Sequence, residues 1–187
     1  TTDLSGLGGL TNANGSTLNL GGTVSITTLD AATNSNLVDF NGAGSQTIPA
    51  QNFYNLTSSS TGGRTLASSG TIGIAGTFTP GTNVYTITGS TVDFNGSGAQ
   101  TIPILSYHHL SLSNAGQKTF STGSTQIAGD FTISGATADA TTNTTTIVYN
   151  GTGPQNVAGI TYHSLTFTNA GLKTIGASTT VNAGITI

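Results

Sequence analysis

The chain reads as an all-β protein, a parallel β-helix built from about three repeats, and three observations predict it. First, one phrase occurs three times, as VDFNGAGSQTIPA from Val38, VDFNGSGAQTIPI from Val92 and IVYNGTGPQNVAG from Ile147. The three starts are almost evenly spaced, and recurrence this regular marks a repeat architecture. Second, apolar residues alternate: Val92 and Phe94 point one way and Asp93 the other, and Leu110 and Leu112 share a face. Third, strong helix formers are scarce, with no Met and no Glu, whereas Thr, Val and Ile are common and 27 Gly punctuate the runs.

Taken in order, residues 1–21 match the repeat weakly and form an N-terminal entry or docking segment. Leu4, Leu7 and Leu10 recur every third residue there, but the interleaved glycines argue against a stable helix. Residues 22–187 form one β repeat domain. LGGTVSI resembles the later IAGDFTI, and Val24, Phe78, Phe131 and Ile185 fall at one repeat position. The middle unit offers the strand-like runs TVDFNG, QTIPI, HLSLS, KTF, TQIAG and DFTI, each bounded by Gly, Asn, Ser or Pro. Its expected core is Val92, Phe94, Ile102, Leu110, Leu112, Phe120, Ile127, Phe131 and Ile133. A unit of about 55 residues is too short for a sandwich domain of roughly 100 residues. It divides into three coils of about 18 residues each, a size that suits a parallel β-helix. The alternative is an antiparallel β-sandwich of pilin type, completed by a neighbour's strand.

The combination FNG-x-G-x-QTI, then Y-x-x-L, then AG-x-KT, then AG-x-FTI resembles the Gly/Thr-rich repeat regions of large secreted bacterial surface proteins. These are adhesin-like arrays, similar in kind to haemagglutinin and autotransporter passengers, and the resemblance covers roughly residues 20–187. It implies a right-handed parallel β-helix, an extracellular or cell-surface location, and a structural or adhesive role.

Composition bounds the chemistry. Only 5% of residues are charged, the net charge is −3, and the three basic residues are Arg64, Lys118 and Lys173. With no basic patch, nucleic acid and anionic membrane surfaces are poor partners. No apolar run approaches the length of a membrane helix, so no membrane insertion is expected. Zero Cys excludes a disulfide framework and thiolate metal sites. The three basic residues occupy one slot, GGRTL, GQKTF and GLKTI, and read as solvated turn residues. Asp39 and Asp93 share a slot, as do Asp30 and Asp139. The repeat scatters them, whereas acid/base chemistry needs carboxylates gathered within a few ångströms. The expectation is therefore a protein that is not an enzyme and has no cofactor.

His108, His109 and His163 read as surface or turn residues. Adjacent His108 and His109 would face opposite sides of a strand, and that geometry argues against a metal site. Tyr54, Tyr107 and Tyr162 read as core aromatics stacked between coils, with the register shifted in the first unit. Sequons stand at Asn14, Asn55, Asn95, Asn143 and Asn150, close to the chance number in a chain this rich in Ser and Thr.

The function this predicts is a non-catalytic extracellular structural protein, either a self-assembling filament subunit or an adhesin-like surface repeat. Its first partner is itself, end to end, and cell-surface glycans come second. The assembly interface is assigned to Leu4, Leu7 and Leu10 at one end and Val181, Ile185 and Ile187 at the other, because solenoid ends without polar caps recruit strands. A glycan- or ice-binding solenoid is the alternative, prompted by Thr-x-Thr runs at 77–79, 86–88, 144–146 and 166–168.

Overall fold

A computed structural model describes residues 3–187. Every described element is a strand, and within each unit the strands stack in parallel as turns of a β-solenoid. By contacts the chain divides into a first unit ending at Ser90 and a second, Thr91–Ile187.

The first unit holds β1 (Leu4–Thr11), β2 (Thr17–Leu20), β3 (Val24–Asp30), β4 (Leu37–Phe40), β5 (Gln46–Ile48) and β6 (Asn52–Phe53). It continues through β7 (Asn55–Thr57), β8 (Arg64–Leu66), β9 (Thr71–Ile74), β10 (Phe78–Thr79) and β11 (Tyr85–Thr86). β2, β4, β7 and β10 pair in that order on one face, β5, β8 and β11 on a second, and β6 with β9 on a third. β1 pairs with β3.

The second unit holds β12 (Thr91–Phe94), β13 (Gln100–Ile102), β14 (Ser106–Tyr107), β15 (His109–Ser113), β16 (Gln117–Phe120), β17 (Ser124–Ile127) and β18 (Phe131–Ser134). It ends with β19 (Thr137–Asp139), β20 (Thr146–Tyr149), β21 (Gln155–Val157), β22 (Thr161–Phe167), β23 (Lys173–Ile175) and β24 (Thr180–Thr186). One face carries β12, β15 and β18, a second β13, β16 and β19, and a third β14, β17, β20, β22 and β24. From β12 to β20 each coil thus uses three strands, one per face, whereas only β21 separates β20 from β22 and only β23 separates β22 from β24.

The repeat is not a whole number of coils. The phrase strands β4, β12 and β20 are eight strands apart in the chain, which is two and two-thirds three-strand coils. Within the second unit β12 and β20 consequently sit on different faces. This corrects the expected division of each repeat into three equal coils. Thr91 on β12 pairs with His109 on β15, but the step from Ser124 on β17 to its partner Thr146 on β20 is longer. Coils therefore differ in length, and one repeat falls short of three turns.

Parallel registration stacks like on like. Val92, Leu110 and Phe131 occupy one inward rung, and Tyr107, Ile127, Tyr149 and Phe167 another. Of the nine expected core residues, eight are buried, while Ile133 is half-exposed. An aromatic pair at constant spacing recurs inside each repeat as Phe40–Phe53, Phe94–Tyr107 and Tyr149–Tyr162. The first two pairs meet edge to face, with centroids 6.3 and 6.5 Å apart. The third joins its hydroxyls at 3.1 Å, and Tyr162 donates on to the Ala158 carbonyl. Phe53, not Tyr54, is therefore the first-repeat equivalent of Tyr107. No described helix is long and apolar enough to cross a membrane.

Candidate functional surfaces

The repeated phrase builds a corner. In N-G-x-G the chain turns sharply, and main-chain groups that would ladder in a strand point inward without strand partners. Side chains answer them in layers. Gln46 Oε1 accepts the Gly42 N–H at 2.8 Å, and its Nε2 donates to the Leu20 and Gly22 carbonyls of the preceding coil at 2.7 and 2.8 Å. Gln155 repeats the arrangement on Gly151, Ile127 and Gly129. Gln100 Oε1 likewise accepts the Gly96 N–H.

The basic slot supplies the next layer, and here the expected solvated turn residues are corrected. Arg64 is 1% exposed and Lys118 0%. The Lys118 ammonium donates to the carbonyls of Gly96, Gly98 and Ala115, and Lys173 to those of Gly151 and Gly153. Arg64 spreads its guanidinium over Phe40, Gly42, Ser59 and Gly62 carbonyls and the Ser58 hydroxyl. The stems pass through the core and the charged heads meet a ring of carbonyl dipoles, which is how an unpaired cation tolerates burial. Burial lowers the pKa of both Lys118 and Arg64, and Asp93 and Asp39 respectively oppose that shift.

The NAG of the next turn completes the corner. Asn114 and Asn169 adopt φ of 59° and 62° and donate through Nδ2 to the Asn95 and Asn150 carbonyls, both at 2.6 Å. Gly116 lies at φ 91°, and a Cβ there would stand 2.4 Å from the Gly98 carbonyl oxygen. The most repeated residues of the sequence thus hold coil to coil.

The remaining polar candidates fall apart in space or serve turns. Asp30 and Asp139 each accept main-chain N–H groups just beyond them, at Ala32 and Thr33 and at Thr141 and Thr142. Asp39 and Asp93 accept the hydroxyls of Ser59 and Ser113 on the following coil. His108 and His109 do not face apart: their rings meet edge to face, 4.3 Å between centroids, because His108 lies at the corner between β14 and β15. His109 Nδ1 accepts the Asp130 N–H at 2.9 Å and lies 3.4 Å from its carboxylate. Burial first, then neighbouring His109, pushes the His108 pKa down. No group of three or more His, Cys, Asp or Glu that could hold a metal ion occurs among the described residues.

Among the sequon asparagines, Asn55, Asn143 and Asn150 spend their Nδ2 groups on Asn36, Phe120 and Gln126, while Asn14 is exposed. Thr47, Thr65 and Thr86 stack on one rung of three consecutive coils. At the next position on the same face, however, stand Pro49, Ala67 and Thr88, so no second hydroxyl column accompanies them.

The assigned interface residues lie on strands. Leu4, Leu7 and Leu10 sit on β1, whose register to β3 shifts between Gly6 and Gly9. Leu7 projects to solvent, while Leu4 and Leu10 are half-buried. In the second unit, Val181 is half-buried beside Tyr162, and Ile185 pairs with Leu165 yet stays 58% exposed. Ile187 follows β24 and is fully open. Sequence reasoning missed Leu172, just before β23, and Ile175, at its end, both exposed, although Ile175 repeats the slot of Phe120.

Comparison with protein-family models, characterised protein sequences and solved structures finds no match to this chain.

Proposed function

We propose that the chain is an extracellular, non-catalytic structural module, a β-solenoid that joins end to end with further copies of itself. One observation carries this reading. Ile175 and Ile185 hold the slots of Phe120 and Phe131, yet the aromatic pair is 0% and 4% exposed and the isoleucines 51% and 58%. What differs is the covering coil. Among the described residues β23 pairs with β21 and β24 with β22, and a further coil stacked on their other edges would cover Ile175 and Ile185. A second copy would supply that coil by strand pairing, and Leu7 on β1 is a further exposed apolar residue. A head-to-tail contact between copies produces a filament where the rotation between them does not close a ring.

The test is sedimentation and negative-stain microscopy of residues 1–187 over a range of concentrations. Wild-type protein is expected to form filaments, and the Ile175→Lys/Ile185→Lys double variant to stay monomeric with unchanged circular dichroism. A wild-type protein that is monomeric at the highest concentration would overturn the reading. So would a double variant that assembles as the wild type does.

A further inference from the structure

Inside the second unit the strand ladders stop on two neighbouring faces at one level. β18 pairs only with β15, and β19 only with β16, while β21 pairs with β23 and β22 with β20 and β24. A single bridge, Ala140 to Tyr162, joins the two levels on those faces among the described residues. The third face stays laddered through β17, β20 and β22, so the stack is hinged there and open opposite.

The opening is a groove of about 830 Å³. Ile133 and Ile160 form its apolar floor, and Thr137, Thr142 and Thr161 its polar walls. The sequence marks the spot. The stretches from Val24 to Val38 and from Phe78 to Val92 are equal in length, whereas the matching stretch from Phe131 to Ile147 is longer. This repeat alone therefore carries an insertion there. The gap also explains why Ile133, an inward residue by alternation, is half-exposed.

We propose that this groove binds an extended peptide carrying a basic residue, by strand addition to the free edges of β18 and β19. Three features favour that occupant. Two unladdered edges present main-chain donors and acceptors that only an extended backbone matches along its length. Asp139 is the one charged side chain lining the groove among the described residues, and the hydrogen bonds from Thr141 and Thr142 keep it ionised. The one aromatic ring in the lining, Phe131, is 4% exposed, so a sugar finds no stacking face. The occupant is not a second copy, because the chain's three basic residues are all engaged by carbonyls: Arg64, Lys118 and Lys173.

The experiment begins with a displayed heptapeptide library selected on the wild-type protein and counter-selected on Thr137→Arg, which places a bulky cation at an exposed groove position. The best peptide is then synthesised plain, N-methylated at alternate amides, and with its basic residue replaced by glutamine. Amide hydrogen exchange and calorimetry read binding, with cellohexaose and chitohexaose as carbohydrate probes. Expected are basic sequences, slowed exchange at 132–134 and 137–139, loss of binding on N-methylation, and at least ten-fold weaker binding to Asp139→Asn for the basic peptide alone. Three results would each overturn the proposal: no enrichment, equal binding of the N-methylated peptide, or protection of these amides by an oligosaccharide but by no peptide. Because Thr137→Arg and Asp139→Asn act at the groove by different routes, a folding defect in one leaves the other to decide.

Discussion

At the scale of the residue, the protein places cations where most folds place nothing charged. Lys118 has no carboxylate in its hydrogen-bonding shell, only three carbonyls. Replacing it with methionine keeps the stem and strips those carbonyls of their donor. Chemical denaturation should show a loss of about 2–4 kcal/mol, the range for leaving buried polar groups unpaired. Lys173→Met should lose less, since Lys173 is half-exposed. Asp139 behaves in the opposite sense to a buried acid: burial raises its pKa, but hydrogen bonds from Thr142 and Thr141 win and bring it to about 2 from 3.8. Its contribution to stability is therefore complete above the unfolded value and lost as pH falls from about 4 to about 2. Asp139→Asn should flatten that limb of a melting-temperature profile. His108 is a base held below its ordinary 6.5, so its neutral form is the folded one and stability declines as pH drops through that value. His108→Tyr, the residue that precedes the equivalent Asn-Leu at Tyr54, should remove this decline between pH 7.5 and 5.

At the scale of the element, strands of two to five residues hold because each is pinned by its equivalents in adjacent coils. Phe131→Ala should cost about 3–5 kcal/mol and Ile133→Ala distinctly less, because the groove already exposes Ile133. Gly116→Ala should be among the most damaging single changes, since its Cβ would press on main chain rather than on a movable side chain. Strand identity and inward faces are legible in the sequence because period-two alternation survives every repeat, as at Val92, Phe94, Leu110 and Leu112. The coil count is not, because the sequence displays the repeat period and hides the coil period. The loop after β19 absorbs extra residues, and nothing in Gly or Thr content separates a corner from a short strand. The basic slot misleads for a physical reason. Lysine before threonine in a Gly-rich turn looks solvated until the carbonyls of N-G-x-G are seen converging on it from the coil before. The exposed edge is half legible: Ile185 is visible as a repeat residue, but the loss of cover at Leu172 and Ile175 is a property of stacking.

At the scale of the whole molecule, the chain contains no Cys, and its apolar edge residues are solvent-exposed, so engineered thiols can report directly on which surfaces meet. In the proposed assembly β1 of one copy meets β24 of another, a contact between unlike ends. Leu7→Cys and Ile187→Cys single variants, mixed in equal amounts and oxidised with a mild catalyst, test this most directly. Expected are mixed Leu7→Cys/Ile187→Cys disulfide dimers in large excess over either homodimer, and a ladder of oligomers when both cysteines share one chain. Homodimers formed as readily as the mixed species, or no cross-link at concentrations where the wild type sediments as an assembly, would contradict it.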